Sequence, residues 1–432
     1  MADRVTVIGW DGSPLTPAAR AALAAATLVA GAPRHLALPE VPAAVETVRL
    51  GSVTVAAGRI AAHRGTAVVL TDGDPGFFGV VRALRDPRHG LEVEVIPAVS
   101  AVAEAFARAG MPWDDARVVV AHRRTLRRAV NVCRAHTKVA VLTAPGAGPA
   151  EIALLLGPVP RTFVICESLG TDEERVTVLT SDRVAEHRWR DPNLILVIGA
   201  PAAAPDGEHW LAGLDPAEDH RPRGWGLPAA VHADLRLDLR PDSRPDSRPD
   251  GRPGSRADGP GTAPAAGAPD PDSRLRALQL AALGPRTGDL LWDVGCDDGL
   301  TAAEAARLGA AVIAVDRDAA ACTRVQAAAS RLGVQLQVVH GAAPQVLRSL
   351  PEPDVIRIGG GGLRALTACV DRRPQRIVTH AMTRDEAEAA GRALAAGGYR
   401  AECALVQLME LNTDNWSESG RTVAFLLVGS RM

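Results

Sequence analysis

Two short segments in the first half of the chain combine residue types that let backbone approach a ligand. Residues 71–79 (Thr-Asp-Gly-Asp-Pro-Gly-Phe-Phe-Gly) follow the apolar run 67–70, and Ser100-Ala101 follow residues 94–99. Glycines and small residues at the carboxyl end of a buried parallel strand form tight turns on which a cofactor can rest. The alternative is a pair of ordinary strand-to-helix turns without a ligand.

A third segment of this kind lies in the second half. Residues 290–299 (Leu-Leu-Trp-Asp-Val-Gly-Cys-Asp-Asp-Gly) have the pattern of a strand, a glycine turn and a helix start. Asp316 ends the next apolar run, 21 residues after Gly295, where a carboxylate can accept hydrogen bonds from a ribose. The pattern fits a nicotinamide-dependent oxidoreductase or a class I methyltransferase. Asp293 before the turn and two strand-like runs at the C-terminal end favour the methyltransferase.

Apolar runs of strand length alternate with alanine-rich stretches in both halves, which is typical of α/β domains. In the first half we predict strands at 5–9, 67–70, 91–96, 117–121, 138–142, 162–167 and 194–199. In the second half we predict a helix at 274–283, followed by strands at 290–294, 311–315, 336–339, 355–358, 376–379, 401–408 and 422–428. The last two of these strands should form an antiparallel edge of an otherwise parallel sheet.

A stretch of different composition separates the halves. Residues 240–255 repeat an Arg-Pro-Asp-Ser-like tetrad, and a proline at every fourth position is incompatible with helix and with sheet. We therefore predict a disordered linker over about 234–271. The predicted domains are 1–200, a junction and linker at 201–271, and 272–432. A basic arm that binds nucleic acid is the alternative for the linker, but an aspartate stands beside most of its arginines.

Composition excludes several classes of function. A net charge of −2 and 3% aromatic residues argue against a nucleic-acid partner. No apolar run reaches the ~18 residues that span a bilayer, so we expect no membrane partner. The six cysteines are scattered without a Cys-x-x-Cys pair, which predicts free thiols in the cytoplasm and no metal site. Lys138 is the one lysine of the chain, so no phosphate-binding Gly-Lys-Ser/Thr loop exists.

The first half resembles the tetrapyrrole (corrin and porphyrin) methyltransferase family. The resemblance rests on residues 71–79 and 94–101, on residues 7–12 (Val-Ile-Gly-Trp-Asp-Gly), and on residues 166–170 (Cys-Glu-Ser-Leu-Gly). It implies a two-lobed α/β unit that binds S-adenosylmethionine. The cofactor-binding residues implied in this half are Gly9, Gly12, Gly73, Asp74, Phe77, Ser100, Ala101 and Thr143. Asp74, which precedes a proline, is assigned to the cofactor or to the geometry of its turn.

The second half resembles the decarboxylating class I precorrin methyltransferases, with a Rossmann-like sheet and an antiparallel edge. The cofactor-binding residues implied there are Asp293, Gly295, Cys296, Asp297, Gly299, Asp316, Ala342, Ala343, Gly359 and Gly360. The chain departs from this family in three places. Asp297 replaces a glycine of the turn, the segment Ile-Thr-Lys before the first helix is missing, and Arg357 stands in a strand that is otherwise apolar. An aspartate at 297 is expected to crowd the methionine end of the cofactor and to repel its carboxylate.

Together the two resemblances imply methylation of precorrin-6B at C5 and C15, with loss of the ring C acetate as carbon dioxide, to give a precorrin-8. Two molecules of S-adenosylmethionine are consumed in the full reaction. No acid–base catalytic residue is identified. Because a tetrapyrrole carries many carboxylates, cationic candidates for contact with it are His122, Arg124, Arg357 and His380. The alternatives are a solvated basic helix for the first two and a core histidine for His380. Relatives of both halves associate, which implies a homo-oligomer.

Three other functions stay open at this point. The N-terminal half alone could be catalytic, with a degenerate structural partner after the linker, since Asp297 and the missing segment weaken the second site. The second half could be a nicotinamide-dependent oxidoreductase. Methylation of RNA is disfavoured by the net charge and the scarcity of aromatic residues.

Overall fold

The computed structural model describes residues 4–51, 53–200, 212 and 271–431. Contacts between Cα atoms group residues up to 126, together with 138–199, into a first compact unit. Residues 127–137 and the described residues after 200 form a second unit. Nearly all of the predicted linker lies outside the described residues, so the predicted domain boundaries stay predictions.

The first unit begins with a five-stranded parallel sheet in the order β3-β2-β4-β1-β5. Apolar β-branched side chains fill both faces of its central strands, and Val7, Ile8 and Leu70 are fully buried. Its strands are β1 (Arg4–Trp10), β2 (Leu28–Gly31), β3 (Glu46–Arg49), β4 (Ala67–Asp72) and β5 (Glu92–Ile96). Its helices are α1 (Pro17–Ala24), α2 (Pro33–Leu36), α3 (Val53–Ala62), α4 (Val80–Leu84) and α5 (Ala101–Ala109), with a 3₁₀ turn at Pro87–His89.

A second five-stranded sheet completes this unit in the order β6-β7-β10-β8-β9, with one parallel pair and three antiparallel pairs. Phe106 of α5 is fully buried in a core that includes Ala140, Val164 and Leu196 of this sheet. The strands are β6 (Arg117–Val120), β7 (Lys138–Leu142), β8 (Thr162–Glu167), β9 (Arg175–Thr180) and β10 (Asn193–Ile198). The helices along this stretch of the chain are α6 (Leu126–Ala135), which belongs to the second unit from residue 127 on, α7 (Pro149–Leu156) and α8 (Ser181–Val184).

The second unit contains a seven-stranded sheet in the order β13-β12-β11-β14-β15-β17-β16, parallel except for its last two strands. Trp292 lies fully buried at its centre. The strands are β11 (Leu290–Val294), β12 (Ala311–Asp316), β13 (Gln337–His340), β14 (Val355–Ile358), β15 (Arg376–Ala381), β16 (Tyr399–Leu411) and β17 (Glu418–Arg431). The helices are α9 (Pro271–Leu283), α10 (Leu300–Arg307), α11 (Ala319–Arg331), α12 (Gly362–Val370) and α13 (Arg384–Ala396), with a 3₁₀ turn at Val346–Ser349.

The predicted fold class is confirmed: both units are α/β, and the second carries the expected antiparallel edge. Every predicted strand is present within a few residues. The prediction missed β2, β3 and β9. The first two have only four residues each, and most side chains of β3 and β9 are exposed, so neither leaves a long apolar run in the sequence. Among the described residues, no helix combines the length and the hydropathy that crossing a membrane requires.

Candidate functional site

A cavity of about 220 Å³ lies within the first unit, at the carboxyl ends of its parallel strands. Residues at the ends of β1 and β4, the start of α5, and the loops that follow β7 and β8 surround it. Its lining consists of Trp10, Asp11, Gly12, Arg34, Asp72, Gly73, Ala101, Glu104, Leu142, Thr143, Cys166, Ser168, Leu169, Thr171, Pro192, Asn193 and Leu194. The predicted residues Gly12, Gly73, Ala101 and Thr143 are therefore brought together.

Glycines allow the loops around this cavity to touch. Gly12 has φ +89°, and a Cβ there would overlap the backbone of Gly170; a Cβ on Gly170 would meet the carbonyl of Asp11. Gly73 has φ +56°, and its Cβ would lie 2.9 Å from the backbone nitrogen of Ala101. A Cβ on Gly9 would collide with the carbonyl of Gly73. Side chains at these positions would push the loops apart and change the cavity.

Asp11 joins two of these loops. Its carboxylate accepts hydrogen bonds from the backbone N–H of Val99 and of Ser13, each at 3.0 Å. Burial by itself would raise the pKa of Asp11, but these hydrogen bonds outweigh it and lower the pKa. Two other lining residues also contact each other: the Thr143 hydroxyl lies 2.8 Å from Oδ1 of Asn193. The carboxylate at the cavity is therefore ionised and fixed.

Arg34, His35 and Asp72 form a cluster that the sequence did not predict. Arg34 Nε donates to Asp72 Oδ1 at 3.0 Å, and its Nη2 donates to Oδ2. His35 is buried; its Nδ1 accepts from the backbone N–H of Ala32 at 3.3 Å, so the proton lies on Nε2, 2.8 Å from Asp72 Oδ1. Burial would raise the pKa of Asp72, but the hydrogen bonds from His35 and Arg34 lower it below its usual range.

A second acidic group, Glu104 on α5, faces the same cavity. Burial raises its pKa, although Arg108 lies 3.1 Å away and opposes that shift. Arg108 also donates to both carboxylate oxygens of Glu174, and Oε2 of Glu174 accepts the N–H of Gly170 at 2.9 Å as well. Cys166 lies beside them, and burial raises the pKa of its thiol to about 11. Cys166 is therefore a neutral thiol at physiological pH and no nucleophile.

In the second unit, the turn after β11 and the glycine run after β14 approach each other closely. Gly295 has φ +70°, and a Cβ there would lie 2.5 Å from the backbone nitrogen of Gly360. A Cβ on Gly359 would lie 2.6 Å from the carbonyl oxygen of Gly295. Gly299 has φ +73° and packs against Val325. The three predicted glycines at 295, 359 and 360 therefore share one edge of the sheet.

Asp316 ends β12 beside this turn. Its Oδ2 accepts the backbone N–H of Asp297 at 3.1 Å, and its Oδ1 accepts that of Asp318 at 3.0 Å. The Cys296 thiol lies 3.9 Å from Oδ2, and burial raises the pKa of that thiol. The carbonyl of Asp316 accepts the N–H of Gly341 at 2.7 Å, which ties the end of β13 to the same place. The predicted carboxylate is thus held at the carboxyl ends of β11, β12 and β13.

Asp297 keeps the backbone shape of a glycine. Its φ is +48°, in the left-handed region that few residues other than glycine adopt. The side chain is 84% exposed, and its carboxylate lies 2.9 Å from Nη2 of Arg324 on α11. The repulsion expected from this aspartate is therefore reduced, since an arginine neutralises the charge and most of the side chain lies in solvent.

Arg357 lies inside the sheet and joins three elements. It stands opposite Asp293 in the register of β11 and β14, and its Nη1 lies 2.9 Å from Asp293 Oδ1. Nε donates to Oε1 of Gln279 on α9 at 3.2 Å, and Nη1 also lies 3.3 Å from the carbonyl of Gly295. Asp293 is fully buried; burial raises its pKa and Arg357 opposes the shift. The pairing gives Arg357 a structural role, and its contact with a substrate stays a prediction.

His380 continues this network. Because an arginine can only donate, Gln279 Oε1 is the acceptor of Arg357, and the amide nitrogen of Gln279 faces His380 Nδ1 at 3.1 Å. Nδ1 is therefore the acceptor, and the proton of the neutral ring lies on Nε2. His380 is half-buried at the end of β15.

The remaining predicted residues lie beside the two sites. His122 and Arg124 are exposed in the loop after β6 and do not line the cavity. Asp74 Oδ1 accepts the N–H of Gly76 at 2.8 Å, which is a turn contact, and Ser100 caps α5 through the N–H of Ala103. Phe77 packs with the core at the second sheet. Ala342 and Ala343 follow β13, the first exposed and the second half-buried.

Sequence reasoning missed several residues at the sites. Asp11 and Cys166–Gly170 belong to segments that carried the family resemblance, so their presence at the cavity has a sequence signal. Arg34 had none, because it follows the short strand β2. The same holds for Gln279 and Arg324, whose partners are distant in the chain.

Both sites fit S-adenosylmethionine. Glycine backbones leave room at each site where a Cβ would intrude. In the first unit the carboxylates of Asp11, Asp72 and Glu104 suit a ligand that carries a sulfonium and an ammonium group. In the second, Asp316 ends the strand next to the glycine turn, where class I enzymes bind a ribose. The folds and the sites define an α/β methyltransferase with two units.

Comparisons with known proteins agree with this class. A family model described as Tetrapyrrole (Corrin/Porphyrin) Methylases matches residues 10–185. A model described as a Precorrin methyltransferase domain matches residues 272–421.

Curated relatives cover most of the chain. A precorrin-6Y C(5,15)-methyltransferase [decarboxylating] of Sinorhizobium sp is 32% identical over 397 residues, which is 88% of this chain and 84% of the relative. A cobalt-precorrin-7 C(5)-methyltransferase of Salmonella typhimurium is 37% identical over 40% of this chain and 88% of its own length. A probable cobalt-precorrin-6B C(15)-methyltransferase (decarboxylating) of Pyrobaculum calidifontis is 37% identical over 26% of this chain and 63% of its own length. The chain belongs to the family of decarboxylating precorrin-6Y C(5,15)-methyltransferases.

Proposed function

We propose that the chain methylates precorrin-6B at C5 and C15 and removes the ring C acetate as carbon dioxide, giving a precorrin-8 in cobalamin biosynthesis. The observation that carries this proposal is the 32% identity to a bifunctional relative over 88% of the chain. Two family models matched in the order of the predicted domains support it. The first unit methylates C5, and the second methylates C15 and decarboxylates. The cofactor is S-adenosylmethionine, two molecules for each full reaction.

The residues at the first cavity position the reactants and do no acid–base chemistry. When bound, S-adenosylmethionine supplies an electrophilic methyl group, and the substrate's electron-rich bridge carbon is the nucleophile. Holding two reactants in line accounts for up to about 7–11 kcal/mol of catalysis in favourable cases. Gly12, Gly73 and Ala101 would hold the cofactor by close backbone approach, and Asp11 and Glu104 provide negative charge for it.

In the second unit, Asp316 and the glycines at 295, 359 and 360 would hold the cofactor. Decarboxylation breaks the bond between the acetate methylene and its carboxyl carbon. The electron pair passes into the conjugated macrocycle, and one proton is then taken up as the methylene becomes a methyl group. The protein has to bury the carboxylate so that loss of carbon dioxide is favoured. His380 in this unit, and His122 and Arg124 in the first unit, remain candidates for the substrate's other carboxylates.

The chain is also proposed to form a homo-oligomer. Strands β16 and β17 continue past the last residue that pairs with β15 as a two-stranded ribbon. Exposed apolar side chains stand on β16 at Leu405, level with the last pairing to β15, and at Met409 on the ribbon, and Trp416 is exposed in the turn between the two strands. A sedimentation measurement that finds only monomers would overturn this part of the proposal.

The oxidoreductase alternative is not favoured, because residues 272–421 match a precorrin methyltransferase model. The test of the proposed function is incubation of the full chain with precorrin-6B and S-adenosylmethionine labelled with ¹³C in its methyl group. Two labelled methyl groups, at C5 and C15, and one carbon dioxide per macrocycle are expected. One label without carbon dioxide would support the alternative in which only the first unit is catalytic, and no label would refute the proposal.

A further inference from the structure

Among the residues that line the cavity of the first unit, Arg34 is the one cationic side chain. Three carboxylates share that lining: Asp11, Asp72 and Glu104. A cofactor with a sulfonium is attracted by such a surface, whereas a polycarboxylate substrate is repelled by it. Arg34 is thus the group at this cavity that can attract a substrate carboxylate.

The neighbours of Arg34 fix its guanidinium in one orientation. Asp72 binds the edge formed by Nε and Nη2, and Asp72 is itself held by Nε2 of the buried His35. His35 in turn is held by the N–H of Ala32 and packs against Trp10, with ring centroids 5.8 Å apart. A side chain that is fixed before binding loses less conformational entropy when a ligand arrives.

This arrangement leaves one edge of Arg34 available. Within the part of the chain that the structure describes, Nη1 makes no hydrogen bond, and the side chain is 35% exposed. The edge formed by Nη1 and Nη2 can accommodate a second carboxylate, because a guanidinium presents five donors in a plane. The charge of Asp72 also offsets that of Arg34, so the pair does not repel a cationic cofactor beside it.

We propose that Arg34 binds a carboxylate of an acetate or propionate side chain of the tetrapyrrole through its Nη1 edge, and that Asp72 and His35 act as positioning residues for it. This inference rests on the proposed function and assigns a substrate contact in the first unit. It predicts that Arg34 governs affinity for the macrocycle and leaves cofactor binding alone.

The test compares R34Q, R34K and the control R20Q in the full chain. Arg20 is an exposed arginine of the same unit, on α1. KM for the tetrapyrrole and kcat are measured from ¹³C-methyl incorporation at C5, and the affinity for S-adenosylhomocysteine is measured by calorimetry. We expect R34Q to raise KM at least about tenfold, with kcat within about threefold and S-adenosylhomocysteine affinity within about twofold of the wild type. The KM of R34K should lie between those of the wild type and R34Q, because a lysine keeps the positive charge but lacks the planar guanidinium group. The KM of R20Q should equal that of the wild type.

The roles of Asp72 and Arg34 are separated by a double-mutant cycle. D72N should raise KM in the wild-type background and leave KM unchanged in the R34Q background, because Asp72 acts through Arg34. Wild-type turnover with an unchanged KM in R34Q would overturn this inference alone. A parallel loss of S-adenosylhomocysteine affinity would also overturn it, by moving Arg34 to the cofactor site. Absence of methyl transfer by the wild type would overturn this inference and the proposed function together.

Discussion

The two candidate cofactor sites both use glycines to bring loops together, and they differ in where their charges lie. Each uses glycines in loops that follow strands so that two loops can touch, Gly12 with Gly170 in one unit and Gly295 with Gly360 in the other. In the first unit, carboxylates stand at the surface of a cavity. In the second, the ion pair of Asp293 and Arg357 lies beneath the turn.

This difference has consequences for what each charged group controls. A charge at a cavity surface mainly changes ligand affinity, because solvent still reaches it. A buried pair mainly changes stability, because removing one partner leaves the other charge without compensation in a medium of low dielectric constant. We therefore expect charge substitutions to unfold the second unit more readily and to alter binding in the first.

The largest effect is expected for Arg357→Met. The substitution leaves the fully buried Asp293 without its cation and should lower the free energy of unfolding by about 3–5 kcal/mol. Chemical denaturation measures this value. The matched control is Arg384→Met, which removes an exposed pair with Glu388 and should cost no more than about 1 kcal/mol.

The destabilisation caused by R357M should depend on pH in a definite direction. Burial raises the pKa of Asp293, and removal of Arg357 takes away the charge that opposes this shift. A group whose pKa is raised in the folded state stabilises the fold at low pH and loses that contribution as pH rises through its folded pKa. The loss of unfolding free energy caused by R357M should therefore be smaller at pH 5 than at pH 7. An equal loss of unfolding free energy at pH 5 and pH 7 would show that the missing charge of Arg357 does not cause the destabilisation.

A change at the first cavity should act on binding. Gly12→Val places a branched side chain on the backbone of Gly170 at φ +89°, and we expect methyl transfer to C5 to fall by about 100-fold, equivalent to about 2.7 kcal/mol. Gly58→Ala in α3 is the control, since a Cβ there meets nothing within 4 Å. Equal activity of G12V and G58A would mean that this contact does not shape the site.

A smaller effect, on cofactor affinity, is expected at the glycine turn of the second unit. Asp297→Gly removes a carboxylate near the turn and should raise the affinity of the second site for S-adenosylhomocysteine by about threefold. Arg324→Gln should lower it by a similar factor, because the neutralising partner of Asp297 is lost. In the D297G background, R324Q should have no effect. An effect of R324Q that persists there would show that Arg324 acts through a partner other than Asp297, such as Asp318, whose carboxylate lies 3.9 Å from Nη2 of Arg324.

The smallest expected difference concerns a thiol. Burial raises the pKa of Cys166 to about 11, so about one part in a thousand is thiolate at pH 8. Alkylation followed by peptide mass spectrometry should modify the exposed Cys403 at least about tenfold faster than Cys166. Faster labelling of Cys166 would show that the cavity opens to solvent far more than the structure indicates.

Much of the fold could be predicted from the sequence because its strands are long apolar runs between turn residues. The glycine turn at Gly295 and the carboxylate of Asp316 each stand at the end of an apolar run, so both could be predicted without knowledge of tertiary contacts. Strands β2 and β3 were missed because four residues do not establish a period. The helix after β2, which carries Arg34, was missed with them.

The polar frameworks around the sites could not be predicted, because they join residues that are far apart in the chain. Arg34 meets Asp72 across 38 positions, and Arg357 meets Gln279 across 78. The sequence placed Arg357 in an otherwise apolar strand and made it a candidate for contact with the substrate, but it gave no means to identify Asp293 as its partner. For Asp297 the sequence showed the missing glycine, and the compensating arginine followed only from the fold.

We propose that each unit holds its own cofactor. Calorimetric titration of S-adenosylhomocysteine into the full chain tests it most directly, alongside Gly12→Val and Gly295→Val, whose side chains would intrude at one turn each. We expect two sites per chain in the wild type and one in each variant. A single site in the wild type, lost in G12V and retained in G295V, would contradict it.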